Sequence, residues 1–499
     1  MRQKDRKEAS CCGGREYTSH ARLHHLATKP YEISELREYP FRERKKQLLK
    51  IKRFLGIPAA LALCIGASIA QESLIQDVFL GGVPQGEKTS DALRLSLADA
   101  IKNGLRYNLG VLIGDQSVEA ARGARLAALS RLRPQVSAQA GMDYYALRER
   151  DQDPTNAISA GVGVTQSILD FSSQRQKRAA EENLKAVGFS NENARDMTAY
   201  VVSMLYLQTV ADKSRIDAVH AQVRTAQSLY ELAVDQKAAG VVSGIEVLRA
   251  QVELQSEQQR LIVAEDQFAK NKLTLARAIG LPLGQEFELS DDMSFVPIQV
   301  LSLEESIEQA LRERPDYRSA EAGIRAAEFG RKAAEAGNLP SLSVGADYRL
   351  RNQAPWEGHG SQTAIGASLN VPIFNGGAVK SRVIEADAVL NRLKAEFEDL
   401  KAGIHYDIRK AFLDLKAADE RVKVAESAVL LAGEQVAQSE SRFRAGVTNN
   451  VEVVQAQEAL ATANENHISG LQAHNMAKLA LARAMGVSDI EYESFLKGK

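Results

Sequence analysis

The side chains able to do chemistry in this sequence are sparse and poorly placed for it. Beyond residue 70 there are five histidines, His220, His359, His405, His467 and His474, and no two share metal-ligand spacing. The string HYDIR at 405–409 has the letters of an active site but sits in a helical surround, where it reads as helix surface. No phosphate-binding glycine loop and no serine elbow occurs. All three cysteines, Cys11, Cys12 and Cys64, precede residue 70, so beyond it neither disulfides nor thiol chemistry is expected. The 63 basic and 64 acidic residues nearly cancel, which gives no long-range pull toward nucleic acid. The carboxylates lie along helical stretches as solvated faces or i,i+4 partners. These features point away from an enzyme, and no cofactor or metal is expected.

Two carboxylates have a distinctive setting. KAAGVVSGIEVLRAQ at 237–251 is matched, 206 positions later, by FRAGVTNNVEVVQAQ at 443–457, with seven of fifteen letters identical. Gly240 and Gly446 supply a position tolerant of positive φ where one helix ends. Ser243 and Asn449 or Asn450 are N-cap candidates for the next helix. Glu246 and Glu452 follow Ser243 and Asn449 by three residues, the spacing of a capping box. Val241, Val242 and Val447 are apolar and read as exposed, suited to a partner's helical hairpin or to plain packing of the turn.

The turns belong to a larger duplication. LSLADAIKNGLRYNLG at 95–110 matches LSLEESIEQALRERPD at 301–316, and LARAIGLP at 275–282 matches LARAMGVS at 481–488, all at the same shift. Each half starts with a helical stretch, about 95–130 and 301–337, ended by Pro134 or Pro340. Two alternating segments follow. Leu342, Val344, Ala346, Tyr348 and Leu350 share one face, as do Ile365, Ala367, Leu369, Val371 and Ile373, and Val136, Ala138, Ala140, Met142 and Tyr144 repeat the pattern. Polar loops at 148–156 and 351–360 join the strands. Proline-free runs at 172–237 and 378–442 come next, long enough for helices of roughly 90–100 Å. Their apolar positions are diluted with alanine and glutamine, as in coiled coils.

The expected organisation is therefore mainly α with a small β part. Residues 1–43 are an extension of unclear status, 44–70 a signal peptide and 71–94 a linker. The first repeat is 95–300, with a β-hairpin at 134–169 and a helical hairpin at 172–280. The second is 301–499, with a β-hairpin at 340–374 and a helical hairpin at 378–486. The signal reading rests on basic RKKQLLKIKR, apolar FLGIPAALALCIGASIA and a small residue, Ala70, at the cleavage point; a retained anchor is its rival.

Four strands cannot close a membrane barrel, which needs at least eight. They form a small soluble sheet, or several chains pool them. Here the residues resemble the TolC-type outer-membrane efflux protein family over 95–488. The helix–hairpin–long-helix order is the specific part, and VTQSILDFSS at 164–173 and LNVPIFNGGA at 369–378 look like that family's end-of-strand signature. The first copy departs from it, with Phe171 and Ser172 where the second has Gly376 and Gly377.

The resemblance implies a homotrimer whose four strands per chain complete a 12-stranded transmembrane β-barrel, continued by a periplasmic α-barrel. It implies an outer-membrane channel of a tripartite efflux or secretion system in a Gram-negative-type bacterium. The partners it implies are outer-membrane lipid, a periplasmic adaptor (membrane fusion protein) and an inner-membrane pump. It also places Glu452 in a constriction ring at the tunnel mouth. Gln455 stands where the family has a second acid, Phe443 where it often has a gate-linking tyrosine, and Thr448 where the best-known type has a gate arginine. The other reading is a periplasmic coiled-coil adaptor or structural rod without a pore.

Overall fold

The computed structural model describes residues 78–84, 88–89, 91–145, 155–282, 284–297, 302–353, 359–487 and 492. The expected extension, signal peptide and strand-joining loops at 148–154 and 354–358 lie outside the described residues.

In chain order the first repeat has β1 (Leu93–Leu95), α1 (Leu97–Tyr107), α2 (Leu109–Ser130), β2 (Gln135–Tyr145), β3 (Thr155–Leu169), α3 (Phe171–Ala238) and α4 (Gly244–Ala278). Then come β4 (Phe287–Leu289), α5 (Leu303–Glu313), α6 (Pro315–Glu335), β5 (Ser341–Gln353), β6 (His359–Asn370), α7 (Ala378–Arg444) and α8 (Asn450–Met485). The helical stretch expected over 95–130 is thus two helices. Asn108 leaves the helical conformation and its side chain accepts the Gly110 N–H at 2.9 Å, while its amide donates to Phe79 and Ala278. In the second repeat Pro315 makes the break, since it has no N–H to continue the preceding turns.

Capping boxes do form, at the starts of α1 and α5. The Ser96 and Ser302 hydroxyls accept the N–H of Asp99 and Glu305, whose carboxylates accept the serine N–H in return. The start of α3 explains why the first copy lacks the glycines of the second. The Asp170 carboxylate accepts the Ser173 N–H at 2.9 Å and its hydroxyl, so a side chain opens this helix where α7 opens from Gly377 at φ 88°.

α3 has 68 residues and α7 has 67, each about 100 Å long at 1.5 Å per residue. Gly188, Gly403 and Gly433 do not interrupt them. Packing runs in the order α4, α3, α8, α7, with α2 and α6 on the N-terminal part of α3 and α6 also on α7. The main core sits where the helices meet β1 and β4: Val202, Tyr206 and Val210 of α3 pack with Leu275, Leu481 and Phe287. A smaller core sets Ile404 and Ile408 of α7 against Ala310 and Ala484. Among the described residues, no helix is long and apolar enough to cross a membrane.

Both α3 and α7 end alike. The Val241 N–H reaches Gln236 O and the Gly240 N–H reaches Lys237 O; Val447 and Gly446 repeat this with Arg442 and Phe443. Gly240 and Gly446 have φ of 77° and 72°, and a Cβ at either would meet nothing within 4 Å. The left-handed backbone is then the whole cost of substitution. Gly446→Ala is expected to destabilise the turn by about 1–2 kcal/mol, read as faster amide exchange confined to residues around 443–453.

Candidate functional site

Two regions are placed for function: an open sheet at one end and the paired turns at the other. The sheet order is β2-β3-β5-β6, antiparallel throughout, so among the described residues β2 and β6 each keep one edge unpaired. Register decides what the faces present. Val136 pairs with Val164, Ala138 with Val162, and Met142 with Ile158. Val162 in turn pairs with Tyr348, Val164 with Ala346, and Ala160 with Leu350. Ala346 pairs with Ile365, Val344 with Ala367, and Leu342 with Leu369. One apolar face therefore runs unbroken across all four strands, and it is bare: Ile365 is 83% exposed and Val136 70%. The reverse face carries Ser137, Gln139, Ser159, Asp347, Arg349 and the glycines at 141, 161, 163, 345 and 366. The five glycines and the serines of this face let a sheet curl toward its polar side.

One strand end differs from expectation. β6 stops at Asn370, and Val371 and Ile373 lie beyond it. Pro372, with no N–H, cannot extend the ladder.

At the turns, Ser243 and Asn449 stand at the N-cap positions of α4 and α8, but neither side chain makes a capping hydrogen bond. The expected capping boxes are absent because their carboxylates are engaged elsewhere. Glu246 binds Arg249 at 2.9 Å, and its other oxygen accepts the backbone N–H of Asn450 at 3.3 Å. A carboxylate of the first hairpin thus caps the helix of the second, where the positive end of the helix dipole favours it. Glu452 accepts from the Thr448 hydroxyl and lies 3.6 Å from Arg442.

Phe443 is buried, packed with Leu229 and Val453 inside the chain. Its carbonyl accepts from the Gln236 amide at 3.5 Å, a second link between the hairpins. Asn450 is 1% exposed, and neither its amide oxygen nor its nitrogen has a hydrogen-bond partner. Gln455, Ser243 and Asn449 are exposed, as are Val241 and Val447, whereas Val242 is half-buried. The structure therefore joins Glu246 to Asn450 and Gln236 to Phe443 across the two hairpins. The sequence reading missed the roles of Asn450 and Gln236, since a contact 204 or 207 residues apart leaves no local signal.

The family model described as outer membrane efflux protein matches residues 109–281 and 306–487. The chain is 25% identical over 346 residues to the pyoverdine export outer membrane protein OpmQ of Pseudomonas aeruginosa, covering 67% of this chain and 71% of that protein. It is 23% identical over 385 residues to the outer membrane protein TolC of Vibrio cholerae, covering 74% of this chain and 85% of the other. Among solved structures, the outer-membrane channel OprN superposes with a TM-score of 0.69 at 17% identity, over 82% of this chain and 99% of that one. The Campylobacter jejuni CmeC outer membrane channel gives 0.69 at 17% identity, over 82% and 91%. Channels of this kind are transport proteins and not enzymes. With the family pattern over both of its repeats, the chain belongs to the outer membrane efflux protein family, the TolC-type channels of the outer membrane with a large periplasmic helical part.

Proposed function

We propose that three copies of this chain form a passive conduit across the outer membrane, fed by an inner-membrane pump through a periplasmic adaptor. The observation that carries this reading is the sheet. Its apolar face is continuous and uncovered, and both its outer strands have free edges. Unpaired backbone groups cannot remain open in lipid, so such a sheet must be closed by others like it. Three sets of four strands make twelve, lipid outside and the glycine- and serine-rich face within.

The helices fit the same closure. α4 and α7 are the two ends of the helix row, and each leaves an apolar stripe exposed, with Ile245, Leu248 and Val252 on one and Leu413, Val424 and Leu431 on the other. A neighbouring copy offers the complementary stripe to each. A coiled-coil adaptor or rod gives no reason for a sheet whose apolar face points away from its own helices. Glu452, beside the turn of α7 and α8, is assigned to the mouth of the tunnel, with Gln455 leaving one carboxylate per chain at that level. The exposed Val241 and Val447 are assigned to adaptor contact.

Single-channel recording of the purified protein in a planar lipid bilayer tests the conduit. Small cation-selective channels are expected, with weaker cation selectivity in Glu452→Ala. Channels unchanged by that substitution would keep the pore and remove Glu452 from its mouth. Folded, detergent-solubilised protein that gives no channels would overturn the reading.

A further inference from the structure

Between the two helical hairpins, away from sheet and turns, lies a group of carboxylates that the conduit does not use. Glu257 of α4 is 4% exposed. One of its oxygens accepts from Arg260 at 2.6 Å, and the other is buried without a hydrogen-bond partner. Glu253 lies one turn away on the same helix, and Glu458 approaches from α8, the return helix of the other hairpin.

Burial raises the affinity of Glu253 and Glu257 for a proton, the neighbouring carboxylates raise it further, and Arg260 opposes them. A buried carboxylate oxygen without a donor is at a disadvantage as an anion and at less of one when protonated. Among the described residues, no three acidic, histidine or cysteine side chains are arranged to hold a metal ion. Access is open, because a cleft of about 470 Å³ lined by Arg260, Glu458, Gln222 and Thr462 lies beside it. From α3 the same cleft receives Arg215, already held by Asp212 and by both oxygens of Glu465. Of the other titratable groups on this part of α3, Asp217, Arg224 and Glu231 are exposed, and His220 faces Glu265 of α4 at 4.0 Å, two turns further along.

We propose that this seam is a proton-operated fastener, in which Glu257 takes up a proton as the surroundings acidify and the two hairpins of each chain then hold together more tightly. The direction follows from linkage. Glu257 binds its proton more tightly in the closed seam than in an opened one, so its contribution is complete below the ordinary glutamate range. That contribution is lost as pH rises through the raised value, when Glu253, Glu257 and Glu458 are all charged and repel across α4 and α8. The consequence for flow through the tunnel rests on the conduit reading; the fastener itself does not.

Hydrogen exchange of the full-length protein in detergent, corrected for the intrinsic effect of pH, tests this on residues 250–262 and 453–465. Between about pH 8 and about pH 4 the parent is expected to gain severalfold in protection, most of it as pH falls through the raised value of Glu257. Glu257→Gln is expected to stay protected at high pH and to keep only the smaller slope that buried Glu253 supplies. Glu458→Gln, at an exposed position, is expected to move the transition to lower pH. A flat profile in the parent, or the parent's slope kept in both variants, would overturn the fastener. Bilayer recording of the same samples separates the two ideas: pH-dependent protection without channels removes only the conduit, and channels with flat protection remove only the fastener.

Discussion

Val162→Arg is expected to abolish assembly of the protein in the outer membrane, while Ser137→Arg leaves it largely intact. Val162 is the middle residue of the fifteen in β3, flanked on the apolar face by Ala138 and Tyr348. In a closed barrel that position is the one deepest in lipid. An arginine facing lipid at the bilayer midplane costs about 2–4 kcal/mol per chain, or about 6–12 kcal/mol for three. That is comparable with the whole stability of an ordinary domain. Ser137 lies at the same depth on the opposite face, paired with Gly163, which is paired in turn with Asp347. An arginine there meets water and a carboxylate. The check is the amount of each variant extracted from outer membranes as folded oligomer. Equal loss in both variants would mean that the two faces are not divided between lipid and water.

Glu246→Ala is expected to raise the fraction of time the channel is open by a factor of about 10 to 100. The carboxylate is the one group that accepts the Asn450 N–H across the hairpins, and it is also tied to Arg249. Losing a charged hydrogen-bond acceptor costs about 1.5–3 kcal/mol, and in a conduit that opens by parting of the two hairpins only the closed arrangement bears that cost. Ser243→Ala is the comparison. Ser243 occupies an N-cap position but makes no capping bond, so its removal is expected to change open probability by less than about twofold. Were Ser243→Ala the more disruptive change, Glu246 would be a local cap and the link between hairpins would carry no gating energy. Single-channel records of the two variants, at one pH and one salt concentration, decide it.

How far the sequence could be read depended on the range of the interactions concerned. The strands were visible as period-two alternation, because a sheet with one apolar and one polar face needs that pattern along each strand. Gly240 and Gly446 were visible because a helix end that turns sharply calls for a residue at positive φ. The division of 95–130 at Asn108 was missed. It depends on carbonyls of Phe79 and Ala278, the second of them 170 residues away, which orient the asparagine amide. The capping boxes were sought at Ser243 and Asn449 and found at Ser96 and Ser302, although all four have an acid three residues on. Spacing is the same in each case. What differs is whether a competing partner, such as the Asn450 N–H for Glu246, lies within reach, and that is a property of two hairpins side by side. Phe443 was compared with a gate tyrosine by position, but its ring faces the inside of the chain and its backbone carbonyl makes the link.

Closure of the sheet by three chains is tested most directly through its two free edges. With Cys11, Cys12 and Cys64 replaced by serine the chain has no cysteine, so pairs can be placed on β2 and β6 without background. A series of such pairs, one residue on each edge, would be oxidised in outer membranes and run on a denaturing gel without reductant. These edges lie on opposite sides of one chain's sheet, so any bond between them joins two copies. A ladder that ends at three linked chains, and collapses to monomer on reduction, is the predicted result. Bonds that stop at two chains, continue past three or never form would contradict a twelve-stranded barrel built from three copies.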